Sequence, residues 1–268
     1  MRLAAMRRVQ FIELHEQPWF PPFLRDDITG TIQCALNFSA AYGAIAPLVR
    51  DAFRSTGVLA VVDLCSGAGG PWLDLARGLR LDTGRLRVVL TDKYPNVAAF
   101  ESVEGSEGVS IRFYRHSVDA RAVPAELTGF RTIFSAFHHF APSEARAVLR
   151  DSVDAKQGIG IFEITRRTVP AIFAMVAWSL APLFFTPFVR PFRWSRLVLT
   201  YLLPIIPFVL LFDGVVSCLR TYRPSELREL ADGVGASNYQ WQAGELRPSF
   251  LSAPITYLVG LPCASSGD

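Results

Sequence analysis

Val58-Leu59-Ala60-Val61-Val62-Asp63-Leu64-Cys65-Ser66-Gly67-Ala68-Gly69-Gly70 decides how this chain folds. The first half is a continuous apolar run without alternation. That pattern suits a strand buried on both faces, as in the centre of a parallel sheet. The second half is a glycine-rich turn. Glycine adopts backbone angles closed to other residues and lets a ligand approach the main chain. Trp72 to Leu79 then reads as a helix. A strand, a glycine turn and a helix start in that order aim backbone amides at a bound anion.

Outward from this segment, strand and helix patterns alternate. Leu86–Thr91, Val109–Tyr114, Phe130–Ala136 and Ile159–Thr165 read as strands. Tyr94–Ser102 and Pro142–Arg150 read as helices, the second opened by a proline at a position that needs no amide hydrogen. Alternation of this kind predicts right-handed crossovers and an α/β, Rossmann-like, doubly wound sheet. Residues 1–56 form a helical N-terminal cap in this reading, with the rigid turn Pro18-Trp19-Phe20-Pro21-Pro22 inside it. The core of the fold covers 57–167. A helix at Pro224–Ala231 and strands at Ser237–Gln242 and Ile255–Leu261 close the sheet within 223–268. The expected sheet has seven strands, mostly parallel, with one antiparallel strand in the final pair.

Residues 168–222 interrupt the pattern as a hydrophobic helical insertion after the fifth strand. Thr168–Val189 and Leu197–Phe212 contain no charged residue, and Arg190, Arg193 and Arg196 lie between them. The first stretch is long enough to cross a bilayer and the second is marginal. Pro182, Pro187, Pro204 and Pro207 break regular helices. The reading favoured here is a kinked hairpin dipped into one leaflet through 168–212, with its arginines and Trp194 at headgroup level. A buried lid over the substrate is the alternative.

Of the 268 residues, 50% are hydrophobic and the net charge is +3, so no strong field favours nucleic acid and none is expected as a partner. Cys34, Cys65, Cys218 and Cys263 form no C-x-x-C pair, and no metal is expected. The N-terminal residues lack a continuous apolar core of the secretory type. A cytoplasmic location, at the inner face of the membrane if the insertion dips, and reduced thiols are therefore expected.

Asp63-Leu64-Cys65-Ser66-Gly67-Ala68-Gly69-Gly70 resembles the first motif of class I S-adenosylmethionine-dependent methyltransferases. Asp92 at the end of the second strand, Ser117-Val118-Asp119-Ala120 after the third and Phe134-Ser135-Ala136-Phe137-His138-His139-Phe140 after the fourth match the spacing of that family's later motifs. The resemblance covers about Val58 to Arg167 and the closing strands. It implies a site for S-adenosylmethionine built from Asp63, Cys65, Ser66, Gly67, Gly69, Asp92, Lys93, Asp119, Ala120, Ala136 and Phe137. Asp63 would draw the sulfonium or amino group, Asp92 would accept the ribose hydroxyls and Asp119 would accept the adenine amino group.

His138 and His139 are the candidates for proton transfer, since imidazole titrates near neutral pH. Each also has a plainer reading. Asp92 can cap a helix, Asp119 can be a solvated loop acid, Phe137 can fill the core, and the histidines can serve packing. Glu163, at the end of the fifth strand, faces either the substrate or the backbone. The expected function is methyl transfer to a small hydrophobic or lipid-like acceptor. A membrane-associated scaffold that binds the cofactor without catalysis is the second reading. A nicotinamide dehydrogenase is the third, weakened because Trp72 stands where G-x-G-x-x-G needs its last glycine.

Overall fold

A computed structural model describes residues 6–57, 59–79, 86–105, 109–247 and 254–263; Val58, at the start of the expected first strand, lies outside them. The N-terminal half runs α1 (Pro22–Ser39), α2 (Ala46–Thr56), β1 (Ala60–Leu64), α3 (Trp72–Leu79), β2 (Arg87–Leu90), α4 (Val97–Val103), β3 (Ser110–Phe113) and β4 (Phe130–Phe134). It continues through α5 (Pro142–Asp154), β5 (Ile159–Glu163), α6 (Val169–Trp178), α7 (Ala181–Phe185), α8 (Trp194–Leu197), α9 (Ile205–Arg220), α10 (Pro224–Asp232), β6 (Tyr239–Leu246) and β7 (Ile255–Pro262).

The seven strands form one sheet in the order β3-β2-β1-β4-β5-β7-β6. All described pairings are parallel except those of β7, which runs antiparallel to both β5 and β6. The order reverses between β1 and β4, and in open α/β sheets ligands bind beyond the carboxyl ends of the strands at that switch point.

β1 ends at Leu64, where its apolar run ends, and β4 stops at Phe134, two residues before the expected Ala136; after each, the next residue leaves the ladder. Cys65 follows β1 with φ of 57° and Ser135 follows β4 with φ of 46°. Both non-glycine residues sit in the left-handed region, a strain of order 1–3 kcal/mol each that collects at functional sites. At the far edge, β6 runs four residues past the expected Gln242 and pairs with β7 along its whole length.

Local capping sets the helix starts. Pro142 and Pro224 open α5 and α10, and in each the third helical residue, Glu144 or Glu226, accepts from the preceding backbone amide. The α4 helix starts at Val97 rather than Tyr94 because the Asn96 side chain accepts the Ala99 amide hydrogen. Asp92 is therefore not the cap of α4.

Each face of the sheet has its own core. Tyr42, Val49 and Phe53 pack with Trp72, Phe130 and Phe162 on one side. On the other, Val62, Ile133 and Ile161 pack with Leu149 and Leu227. A third cluster joins Phe20, Leu24 and Ile28 of the N-terminal region to Ile206 and Val209 of α9. The N-terminal segment and the insertion thus share one apolar seam.

The insertion is kinked, as its prolines require. The segments 194–202 and 205–220 meet at 75° beside Pro204. The α6 and α9 helices cross closely at Gly214, where a Cβ would lie 2.6 Å from the Met175 side chain. The arginine turn differs from expectation. Arg196 is buried with Asp27 of α1 at 2.9 Å, and Arg193 reaches Asp26 and Asp27 at 3.5 and 3.6 Å. Burying a charge is costly unless it is paired, so Arg196 is tied to α1 and is not free for a headgroup, while Arg193 stays partly exposed. Trp194 does remain exposed, at 75%. Residues 169–188 are long and apolar enough to cross a membrane by length and composition, with a mean hydropathy of 1.8.

Candidate active site

A cavity of about 920 Å³ opens beyond the carboxyl ends of β1, β2 and β4. Its floor comes from the sheet and the glycine loop, including Cys65, Ser66, Gly67, Asp92 and Ala136. Its roof comes from the cap: Ile32 and Leu36 of α1, Ala174, Met175 and Trp178 of α6, and Leu210 of α9. The sequence-predicted residues Lys93, Asp119, Ala120, His138 and His139 also line it.

Asp63 does not stand free. It lies beside Thr132 in the β1–β4 register, and Thr132 Oγ1 donates to its Oδ1 at 2.6 Å. Ser66 Oγ donates to its Oδ2 at 2.7 Å. Burial outweighs these bonds and pushes the carboxyl up to about 7. Gly70 follows at φ of 66°, where a Cβ would stand 2.8 Å from Asp63 Oδ2, so only glycine closes this turn. Asp63 thus braces the loop from below.

Asp92 receives the Gly67 amide on Oδ2 and the Tyr94 amide on Oδ1, both at 2.8 Å. Each oxygen keeps a lone pair, the requirement for gripping two neighbouring hydroxyls. Burial raises its pKa. Lys93 is exposed at the rim, its ammonium 5.8 Å from the centre of the Tyr94 ring.

Asp119 is more committed than its sequence position suggests. Oδ1 accepts from the Arg121 backbone and Nε, each at 2.9 Å, while Oδ2 accepts from Arg121 Nη2 at 2.6 Å. These bonds hold its carboxyl below the ordinary range. One lone pair on Oδ2 is left for a ligand.

Two expected site residues are off the cavity wall. Phe137 is fully buried in the core against Phe140 and Tyr222. It opens a short 3-10 turn three residues past β4, and its ring fills the core. Gly69 closes the loop by donating its amide to Ser66 O at 2.9 Å, and it too lies outside the lining.

Glu163 resolves to the backbone alternative. Its Oε1 accepts the Phe137 and His138 amides at 2.7 and 3.1 Å, and its Oε2 meets His138 Nδ1 at 2.8 Å. Burial acts to raise its pKa, but His138 prevails and holds it low. His139 is also engaged on both nitrogens, by Glu16 through Nδ1 at 2.5 Å and by Glu13 near Nε2 at 3.4 Å. Burial would lower its pKa, but these two carboxylates outweigh that and raise it to about 9. With Nδ1 on Glu16 and Nε2 facing Glu13, both ring nitrogens of His139 point at carboxylates.

Sequence reasoning missed the roof's polar residues. Glu13, His15 and Glu16 descend from the N-terminal segment onto His138 and His139, and Arg220 and Asp213 join them from α9. The signal was the density of titratable side chains in Glu13-Leu14-His15-Glu16, just before the proline turn.

No protein-family model matches the sequence, and no curated protein matches it. Solved structures do. The plantazolicin methyltransferase BpumL in complex with SAH is similar at a TM-score of 0.51 and 9% identity, over 90% of this chain and 96% of that one. The likeness is one of fold. The seven-stranded sheet of this protein has the Rossmann-like fold seen in that methyltransferase. The mitomycin 7-O-methyltransferase MmcR aligns at a TM-score of 0.49 and 16% identity, over 83% of this chain and 54% of that one. Human N-acetylserotonin methyltransferase in complex with SAM aligns at 0.45 and 12% identity, over 83% of this chain and 53% of that one. The chain spans about half the length of these last two.

Proposed function

We propose that this protein is an S-adenosylmethionine-dependent methyltransferase acting on a small hydrophobic or lipid-like acceptor. One observation carries the reading: a glycine loop braced on Asp63, and Asp92 with a free lone pair on each oxygen, form one wall of a cavity whose roof presents the apolar side chains of Ile32, Leu36, Met175, Trp178 and Leu210 beside its polar cluster. The cofactor would supply an activated methyl group. Asp92 would accept the ribose hydroxyls, and the remaining lone pair of Asp119 Oδ2 would accept the adenine amino group. Ile32, Leu36, Met175 and Trp178 would exclude water and hold an apolar acceptor against the cofactor, so positioning supplies much of the rate.

The outer face of the cap supports a further part of this reading, contact with the cytoplasmic face of a membrane. Phe173, Leu180, Phe184, Phe188, Trp194, Leu202 and Phe208 are all more than half exposed. Isolated exposed apolar residues are ordinary, but a cluster of this extent marks an interaction surface. An acceptor dissolved in that membrane would reach the cavity through the cap.

The test is calorimetric titration of detergent-solubilised protein with S-adenosylhomocysteine and with NADH. Micromolar binding of the first alone is expected, with Asp92→Ala weakening it by roughly tenfold or more, the loss of two charge-assisted hydrogen bonds. Binding of NADH alone, or unchanged affinity in the variant, sinks the proposal.

A further inference from the structure

Three of the four histidines in the sequence converge at one end of the cavity. Each has its Nδ1 tied to a carboxylate: His15 to Asp213 at 2.7 Å, His138 to Glu163 at 2.8 Å and His139 to Glu16 at 2.5 Å. The three carboxylates come from α9, β5 and the N-terminal segment. The remaining ring nitrogens are left for another partner. For His138 and His139 that nitrogen faces Glu13, at 3.5 and 3.4 Å.

Glu13 is fully buried, yet neither carboxylate oxygen accepts a hydrogen bond. His138 Nε2 is buried without a hydrogen-bond partner as well. Buried polar atoms are rarely left so, and an unseen ion is one cause. Four carboxylates gather there: Arg220 meets Glu13 at 3.4 Å and Glu16 at 2.7 Å, while Glu163 and Asp213 pair only with histidines among the described residues.

We infer that Glu13, His15 and His139 form a site for a divalent first-row transition metal, opening onto the cavity. One donor atom from each lies within 4.8 Å of the others. A tetrahedral ion with bonds of about 2.1 Å separates neighbouring donors by about 3.4 Å. Glu13 and His139 already stand at 3.4 Å, and all three donors lie within 4.8 Å of one another, within reach of a common ion by side-chain rotation. Two imidazoles and a carboxylate suit zinc, iron, cobalt or manganese and disfavour magnesium and calcium, which prefer oxygen ligands. Asp213 and Glu16 orient the two imidazoles through Nδ1, as carboxylates do behind metal-bound histidines. All three ligands line the cavity, which leaves an open coordination position for water or an oxygen of a bound molecule. This site goes beyond the methyltransferase reading and does not depend on it.

The test is titration of untagged, chelator-stripped full-length protein with cobalt(II), followed by its visible ligand-field bands, with zinc(II) as competitor. One equivalent is expected, with bands of a nitrogen–oxygen site. His139→Ala and Glu13→Gln should each weaken binding by roughly tenfold or more. His116→Ala removes the histidine outside the cluster and should change nothing. If His139→Ala fails the circular dichroism test for folding, the near-isosteric Glu13→Gln decides. No saturable binding, binding that ignores Glu13→Gln, or a spectrum dominated by thiolate charge transfer overturns the inference.

Discussion

Replacing Asp63 with asparagine should change how stability depends on pH. In the folded chain, burial lifts the Asp63 carboxyl to about 7 from its ordinary value of 3.8. The folded state therefore binds the proton more tightly than the unfolded state. Between those two values the folded chain carries more protons, so stability falls as pH rises. The contribution is whole below about pH 4 and lost above about pH 7. A difference of about three units, at about 1.4 kcal/mol each, is roughly 4 kcal/mol across the window. Asparagine is neutral throughout and abolishes this term. It also replaces one acceptor oxygen with an amide nitrogen, so the Thr132 or Ser66 hydroxyl must reverse, at a cost of roughly 1–3 kcal/mol. Asp63→Asn should accordingly be the less stable protein near pH 4 and should match or exceed the parent near pH 8. Urea unfolding of both proteins across that range measures the difference, in which all other titrating groups cancel. Parallel curves, with a constant offset at every pH, would refute the claim that burial controls this carboxyl.

Other expectations follow from the same geometry. Arg196→Ala leaves Asp27 buried without its nearest cation and should cost roughly 3–5 kcal/mol of unfolding free energy; a loss below about 1 kcal/mol would mean that the pair is not buried in solution. Replacing Trp194, Leu202 and Phe208 together with aspartate should abolish co-sedimentation with anionic vesicles while S-adenosylhomocysteine affinity stays the same. Retained vesicle binding would remove the cap's outer face from the membrane reading. Asn96→Ala should cost about 1 kcal/mol through the lost cap of α4, read by the same urea assay.

Much of the fold was legible because its signals are local. The apolar run into Asp63, the glycine turn and the strand–helix alternation depend on neighbours in sequence, and the sheet confirms them, including the antiparallel β7. The end of β4 was overestimated past Ser135, since a left-handed residue after a strand leaves no mark in hydropathy. The acids of the later motifs were found, but not their states. That Arg121 occupies most of Asp119, or that two hydroxyls hold Asp63, depends on distances between side chains.

The sequence by itself determined that this is an α/β chain with a glycine-turn site and an apolar insertion, because periodicity and turn chemistry act over a few residues. Only the tertiary structure decided what covers that site. It laid the N-terminal segment and α9 side by side, tied Arg196 back to Asp27, and brought Glu13, His15 and His139 together across more than a hundred residues of chain. Such convergence is set by how the N-terminal segment and α9 fold back over the ends of the strands, and contacts of that range carry no periodic signature for a sequence reader to follow.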